Sequence, residues 1–336
     1  MSDTVQRLLQ GDARALSRLI TLLERGDPRA ARVLQEVAPH TGRAYCVGLT
    51  GPPGSGKSTL ADRLTERLRQ QGRRVGIVAV DPTSPFSGGA VLGDRIRMQR
   101  HSLDSGVYIR SMATRGSLGG LSRVVKSTAR LMDAAGCDVV LVETAGVGQT
   151  EVAVMGVADT VVVVLVPEAG DAVQTLKAGL LEVADLFVVN KADRPGAGEM
   201  VAALHGMLGL VEERRPWTPR VLTTQAHRGE GVDKLWQAVE EHRRWLEAEG
   251  HLEARRRVRL RREFLETVEE ALALRLRELL ERDPGLAALV QGVEERQADP
   301  YAAALRLLHD GTLLRPWLAS LAGDPAVQGG PPPQGR

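Results

Sequence analysis

Residues Gly51, Pro52, Pro53, Gly54, Ser55, Gly56, Lys57, Ser58 and Thr59 follow the pattern G-x-x-x-x-G-K-[ST]. A loop of this kind binds nucleotide phosphates. Its glycines let the backbone wrap a phosphate closely, and the N–H groups and the positive end of the following helix face the charge. Lys57 can neutralise the β- and γ-phosphates, and the Ser58 hydroxyl suits Mg2+. The flanks agree: a β-like run (Tyr45 to Leu49) precedes the loop and a helix-like run (Leu60 to Gln70) follows it.

A second constellation selects the base. Asn190, Lys191 and Asp193 form N-K-x-D directly after the apolar run Leu186 to Val189. A carboxylate at Asp193 can accept from guanine N1–H and from the 2-amino group. Adenine offers neither donor there, so a desolvated carboxylate would stay unpaired at a cost of about 1–3 kcal/mol. Asn190 can bond the guanine or the neighbouring loop, and the Lys191 stem can cover a base face. Gln225, Ala226 and His227 end the last strand-like run, where a backbone N–H could meet guanine O6. GTP and GDP are therefore the expected ligands.

A third group surrounds the phosphates. The apolar stretch Asp138 to Val142 ends in Glu143, Thr144, Ala145 and Gly146. Glu143 occupies the place of a carboxylate that holds Mg2+ through water, and the Gly146 N–H can bond a γ-phosphate. Gln149 is a candidate to orient the attacking water, although its offset from Gly146 differs by one from a D-x-x-G-Q arrangement. Asp81 and Asp94 could approach Mg2+ or that water, or could serve as a turn residue and a helix cap.

Those side chains need a scaffold. Strand-like runs fall at 44–50, 75–80, 107–111, 138–143, 160–166, 185–190 and 219–224, with helical patterns at 57–71, 117–135, 171–181, 196–207 and 231–248. Runs apolar on both faces predict a mainly parallel central sheet covered on both sides, an α/β P-loop NTPase fold. Residues 1–40 read as an N-terminal helical extension and 41–250 as the nucleotide-binding domain. Residues 251–323 read as a C-terminal helical arm and 324–336 as a disordered tail. The basic run Arg255 to Arg262 reads as the solvated face of a long helix, offset by Glu253, Glu263 and Glu266.

The bulk numbers narrow the class. A net charge of +2 over 336 residues gives no drive toward nucleic acid or a membrane surface, and 3% aromatic content supplies no base-stacking platform. No secretory signal or membrane-span pattern is present. Cys46 and Cys137 lack Cys or His neighbours at metal-ligand spacing and read as small core residues in a reducing, cytoplasmic setting. The seven histidines form no ligand pair.

The strings Gly48 to Ser58, Val80 to Pro85, Gly93 to Met98, Glu143 to Glu151 and Asn190 to Asp193 together resemble the MeaB/ArgK family of GTPases, over roughly residues 5 to 310. The resemblance implies a GTP-hydrolysing chaperone of adenosylcobalamin-dependent acyl-CoA mutases, chiefly methylmalonyl-CoA mutase, that gates cofactor loading. Adenosylcobalamin would be met only through that partner, and the adenosyltransferase that supplies it would be a further partner. It also implies a homodimer formed by the C-terminal arm. Lys57, Ser58, Asp94 and Glu143 would surround phosphate and Mg2+, with Asp81 near them. Residues 81–98 and 143–156 would be the two nucleotide switches. Asp171, Gln174 and Lys177 would belong to an additional switch that communicates with the mutase. Gln225-Ala226 stands where the family has Ser-Ala, and Ala172, Val173 and Thr175 also depart from its pattern. Competing readings are a nickel metallochaperone-type GTPase, which would require Cys/His ligands, and a transport-linked kinase, which N-K-x-D opposes. A signal-recognition-type targeting GTPase would require a Met-rich domain.

Overall fold

Seven apolar runs become seven strands in the computed structural model, which describes residues 2–81, 99–101, 103–113, 118–144, 156–167, 184–209 and 216–309. They are β1 (Tyr45–Thr50), β2 (Val75–Asp81), β3 (Val107–Ala113), β4 (Val139–Thr144), β5 (Thr160–Leu165), β6 (Leu186–Asn190) and β7 (Arg220–Thr224). All pair in parallel, in the order β3-β2-β4-β1-β5-β6-β7. The expected sheet is therefore present, each strand within a residue or two of its predicted bounds.

Period-two alternation explains why both faces are apolar. Val140 and Val142 of β4, Val163 and Leu165 of β5, and Phe187 and Val189 of β6 enter one buried cluster. Their neighbours Val139, Leu141, Val162, Val164, Leu186 and Val188 enter the other. The first face is covered by α1 (Ser2–Leu9), α2 (Ala13–Glu24), α3 (Arg29–Val37), α5 (Leu118–Ala134) and α6 (Ala197–Gly209). The second is covered by α4 (Lys57–Gln70) and α7 (Val232–Ala248). Leu60, Leu64 and Leu68 repeat every four residues along α4 and are fully buried, worth about 1.5–3 kcal/mol each. Loops leaving β1 and β6 thus run to opposite faces, the place where open α/β sheets bind ligands.

The chain divides into two compact units, Met1–Leu260 and Arg261–Arg336. Helix α8 (His251–Arg282) begins in the first. In the second, α9 (Pro284–Glu294) is capped by Asp283 and precedes α10 (Pro300–His309). The helical patterns at 171–181 and the tail at 324–336 lie outside the described residues.

The basic run differs from its expected solvated role. Arg256 and Arg259 share one face of α8 and turn inward, while Arg255 stays exposed beside them, because two carboxylates at the starts of β5 and β6 await these arginines. Arg256 grips both oxygens of buried Asp159, at 2.7 and 3.1 Å, and also donates to the carbonyls of Gly42 and Ala44. Arg259 reaches Asp159 and the Ala158 carbonyl, and Arg255 lies 3.2 Å from Asp185. Burial works against ionisation of Asp159, but the Arg256 and Arg259 guanidiniums outweigh it and hold its carboxyl below the ordinary range. Arg262 does face the way expected, pairing with Glu266 at 2.8 Å.

Candidate active site

The phosphate loop joins β1 to α4. Gly51 has φ +134°, and a Cβ there would stand 2.0 Å from the Val164 carbonyl oxygen of β5. Gly56 has φ +87°, and a Cβ there would stand 2.3 Å from Asn190 Nδ2. Both glycines are thus required by crowding as well as by backbone sign. The second contact means that the phosphate loop and the base-reading motif are in van der Waals contact.

Helix α4 starts without a side-chain cap, its N-cap being Gly56 in the left-handed region. By contrast, α2 and α9 are capped by Asp12 and Asp283. Uncapped N–H groups at this helix end suit an anionic ligand. Lys57 is buried, with its ammonium donating to the carbonyls of Gly51 and Pro52 at 2.8 and 2.9 Å. It is therefore held over the loop that would wrap the phosphates. Ser55 is fully buried, and its hydroxyl has no hydrogen-bond partner among the described residues.

Glu143 joins this group through strand parity. It continues the Val139, Leu141 series that faces α4, so its carboxylate meets the first turn of that helix. The Ser58 hydroxyl donates to Glu143 Oε1 at 2.5 Å, and both residues are buried. Two hard oxygens set side by side fit Mg2+, which keeps several waters and takes phosphate oxygens rather than a full protein cage. Thr144 donates to Thr50 at 3.2 Å, fastening the ends of β4 and β1 beside them.

The base-reading loops are built around Asn190. Its Nδ2 donates to the Ser55 carbonyl at 2.8 Å. Its Oδ1 accepts from the Thr224 hydroxyl at 3.0 Å and from the Ala226 N–H at 3.1 Å. Of the two options open in the sequence, Asn190 therefore takes the neighbouring loop. Lys191 adopts φ +55°, rare for a residue with a Cβ. That turn leaves Asp193 exposed beyond the end of β6. The Gln225 N–H is engaged by the Glu230 carbonyl, and His227 is exposed.

The structure thus brings together residues 51–59, Glu143, Asn190 and the loop 225–227, with Lys191 and Asp193 at the β6 end. Asp81 ends β2, and its side chain lies outside the described residues, as do Asp94, Gly146, Gln149, Asp171, Gln174 and Lys177. Sequence reasoning overlooked Arg63. This residue of α4 donates to the carbonyls of Ala226 and His227 at 3.2 and 3.0 Å. It also missed Asp62, on the same helix, whose carboxylate lies 3.2 Å from His101 Nε2. Neither residue belongs to a motif, so only the tertiary contact exposes it.

At the opposite end of the strands His242 is fully buried, 2.9 Å from the Thr160 hydroxyl and 3.3 Å from Asp185. Burial pushes its pKa down to about 3, so the imidazole is neutral. Burial also pushes the Cys137 thiol up to about 12, and the Cys46 thiol is raised in the same way, in keeping with core cysteines.

Comparison with known proteins agrees with this geometry. Residues 16–280 match the family model described as methylmalonyl Co-A mutase-associated GTPase MeaB. A protein of Pyrococcus abyssi named as a GTPase is 47% identical over 313 residues, covering 92% of this chain and 96% of its own. The mouse methylmalonic aciduria type A homolog is 37% identical, covering 76% of this chain and 68% of its own. A crystal structure titled as a LAO/AO transport system kinase superposes with a TM-score of 0.70 at 28% identity, covering 96% of this chain and 97% of that one. The chain is a P-loop GTPase and belongs to the MeaB family of methylmalonyl Co-A mutase-associated GTPases.

Proposed function

We propose that this GTPase is a chaperone that gates adenosylcobalamin loading into a cobalamin-dependent acyl-CoA mutase, and that methylmalonyl-CoA mutase is its partner. The family match over residues 16–280 carries the reading. The likeness to the methylmalonic aciduria type A homolog supports it. The adenosyltransferase that supplies the cofactor is a further partner in this scheme.

Within the site, Lys57 and the loop N–H groups stabilise charge on the β- and γ-phosphates. Ser58 and Glu143 would hold Mg2+, which would offset charge on the phosphates. By the family resemblance, Asp94 would complete this set and Asp81 would serve near it. Asp193 reads the guanine edge, and the loop Gln225 to His227 meets O6. Hydrolysis by in-line water attack then rests on position and electrostatics. The lone protein turns over slowly, and its mutase accelerates it. Gly146 and Gln149 respond to the γ-phosphate, while Asp171, Gln174 and Lys177 pass the state to the mutase. A homodimer through the helical arm is supported by exposed apolar side chains on α8, among them Phe264, Leu265 and Leu274.

Affinity capture of methylmalonyl-CoA mutase on this protein, with GDP and with a non-hydrolysable GTP analogue, tests the reading. A complex whose amount or cofactor uptake depends on the nucleotide is expected. Absence of any nucleotide-sensitive complex would remove the chaperone role and leave the GTPase.

A further inference from the structure

Arg63 connects two parts of the site that the motifs treat as separate. It sits on α4, six positions after Lys57, and is half-buried. Its Nε donates to the Ala226 carbonyl at 3.2 Å and one terminal nitrogen to the His227 carbonyl at 3.0 Å. Its other terminal nitrogen is held by Glu66 at 2.8 Å, one turn along the same helix. A guanidinium fixed in this way presents a rigid fork, and two adjacent carbonyls fill it.

The loop it grips has few other restraints. Ala226 is held from the opposite side by Asn190, which accepts its N–H at 3.1 Å. The short 3-10 turn Ala226–Arg228 is otherwise closed by local bonds, Arg228 N–H to Gln225 and Gly229 N–H to Ala226. Asn190 and Arg63 therefore form two struts, one from the β6 end and one from the phosphate-loop helix. The Ala226 carbonyl shares its peptide unit with the His227 N–H, the N–H of residues 225–227 that neither Glu230 nor Asn190 engages.

We infer that Arg63 is a positioning residue for base specificity: it sets the loop Ala226–His227 so that the His227 N–H can read the purine 6-position. The inference rests on the guanine reading of this site. It concerns the 6-position alone, because Asp193, on a different strand end, reads the 2-amino group.

That separation supplies the test. Diphosphates of guanosine, inosine, adenosine and 2-aminopurine riboside would be titrated into the full chain and into Arg63→Ala and Arg63→Lys. The 2-aminopurine nucleotide lacks O6 and with it the N1–H, a loss to Asp193 that is the same in wild type and variant, and inosine lacks the 2-amino group alone. Arg63→Ala should lose about tenfold of the preference for GDP over the 2-aminopurine nucleotide, the scale of one charge-assisted hydrogen bond. Its preference for GDP over IDP should be unchanged. Arg63→Lys, able to reach one carbonyl, should recover part of the loss. Equal loss of both preferences would reduce Arg63 to a fold-stabilising residue and overturn the inference, and so would no change in either. Wild-type protein that binds ADP as well as GDP would instead overturn the guanine reading itself. Should Arg63→Ala fail to fold, Arg63→Lys and Glu66→Gln carry the same comparison.

Discussion

Ser58 on the first turn of α4 donates its hydroxyl hydrogen to Glu143 at the end of β4, at 2.5 Å and out of contact with solvent. The two residues are 85 positions apart in the chain. Parallel pairing of β1 with β4, in which Leu49 stands opposite Glu143, brings them together. A short bond between a hydroxyl and a carboxylate holds both oxygens side by side, the arrangement on which the proposed Mg2+ role of this pair rests.

Glu143→Gln keeps the shape of this pair and removes its charge. Phosphate release from GTP should fall about 100- to 1,000-fold, the loss typical when one preorganised electrostatic contact is removed. GDP binding in the absence of Mg2+ should persist. Ser58→Ala should raise the Mg2+ concentration needed for half-maximal activity. Unchanged magnesium dependence in both variants would separate this pair from the metal.

Asp193 is exposed at the end of β6, so changing it leaves the core intact. Asp193→Asn exchanges an acceptor for a donor at the guanine edge. GDP affinity should drop roughly 100-fold, two charge-assisted bonds being at stake, and xanthosine diphosphate should become the better ligand. Calorimetric titration of both nucleotides against both proteins decides it.

Asn190 makes three bonds at once, to Ser55, Thr224 and Ala226. Asn190→Ala leaves three buried groups without partners and should lower stability by about 2–4 kcal/mol in chemical denaturation. Saturating GDP should restore less stability to the variant than to the wild type, because the loops it binds are no longer tied. Equal stabilisation by GDP would mean that the tie serves the fold alone.

His242 is neutral in the folded chain, its pKa pushed down from 6.5 to about 3 by burial. The unfolded chain takes up a proton there as pH falls below about 6.5, and the folded chain does not. This residue's contribution is therefore fully present above that pH and is lost toward pH 3, at up to about 1.4 kcal/mol per pH unit. Denaturant unfolding between pH 5 and 7 should show stability rising with pH in the wild type. His242→Gln should flatten that slope.

Asp159 has the opposite partners, two arginines of α8. Asp159→Ala would leave Arg256 and Arg259 at a buried site without their carboxylate, at a cost of about 3–5 kcal/mol. With its folded pKa lowered, Asp159 stabilises above the ordinary carboxylate range and loses that effect as acid titrates it. The acid limb of the stability curve should accordingly shrink in Asp159→Ala.

Local signals were enough for much of the molecule. Seven apolar-rich runs marked the strands, and those apolar on both faces, such as β2 and β5, can be satisfied only in a covered parallel sheet. The spacing of Gly51, Gly56, Lys57 and Ser58 specified a phosphate loop, since those glycines answer a backbone requirement that is local in the chain. Asn190 and Asp193 stood out as candidates to read the base by their place at a strand end, and the structure puts them at the end of β6. Charge patterning failed at Arg256 and Arg259. A helix of alternating charges looks solvated unless one knows which carboxylates face it, and Asp159 lies about a hundred positions earlier.

By itself, then, the sequence determined the strands, the phosphate loop and the candidate base-reading motif, because each depends on residues close together in the chain. Tertiary structure alone decided three further points. It turned Asn190 toward the phosphate loop, joined Ser58 to Glu143, and set Arg63 under the loop Ala226–His227. Each of these is a hydrogen bond between distant segments. Its partner is fixed by strand order and helix phase, which no local pattern encodes.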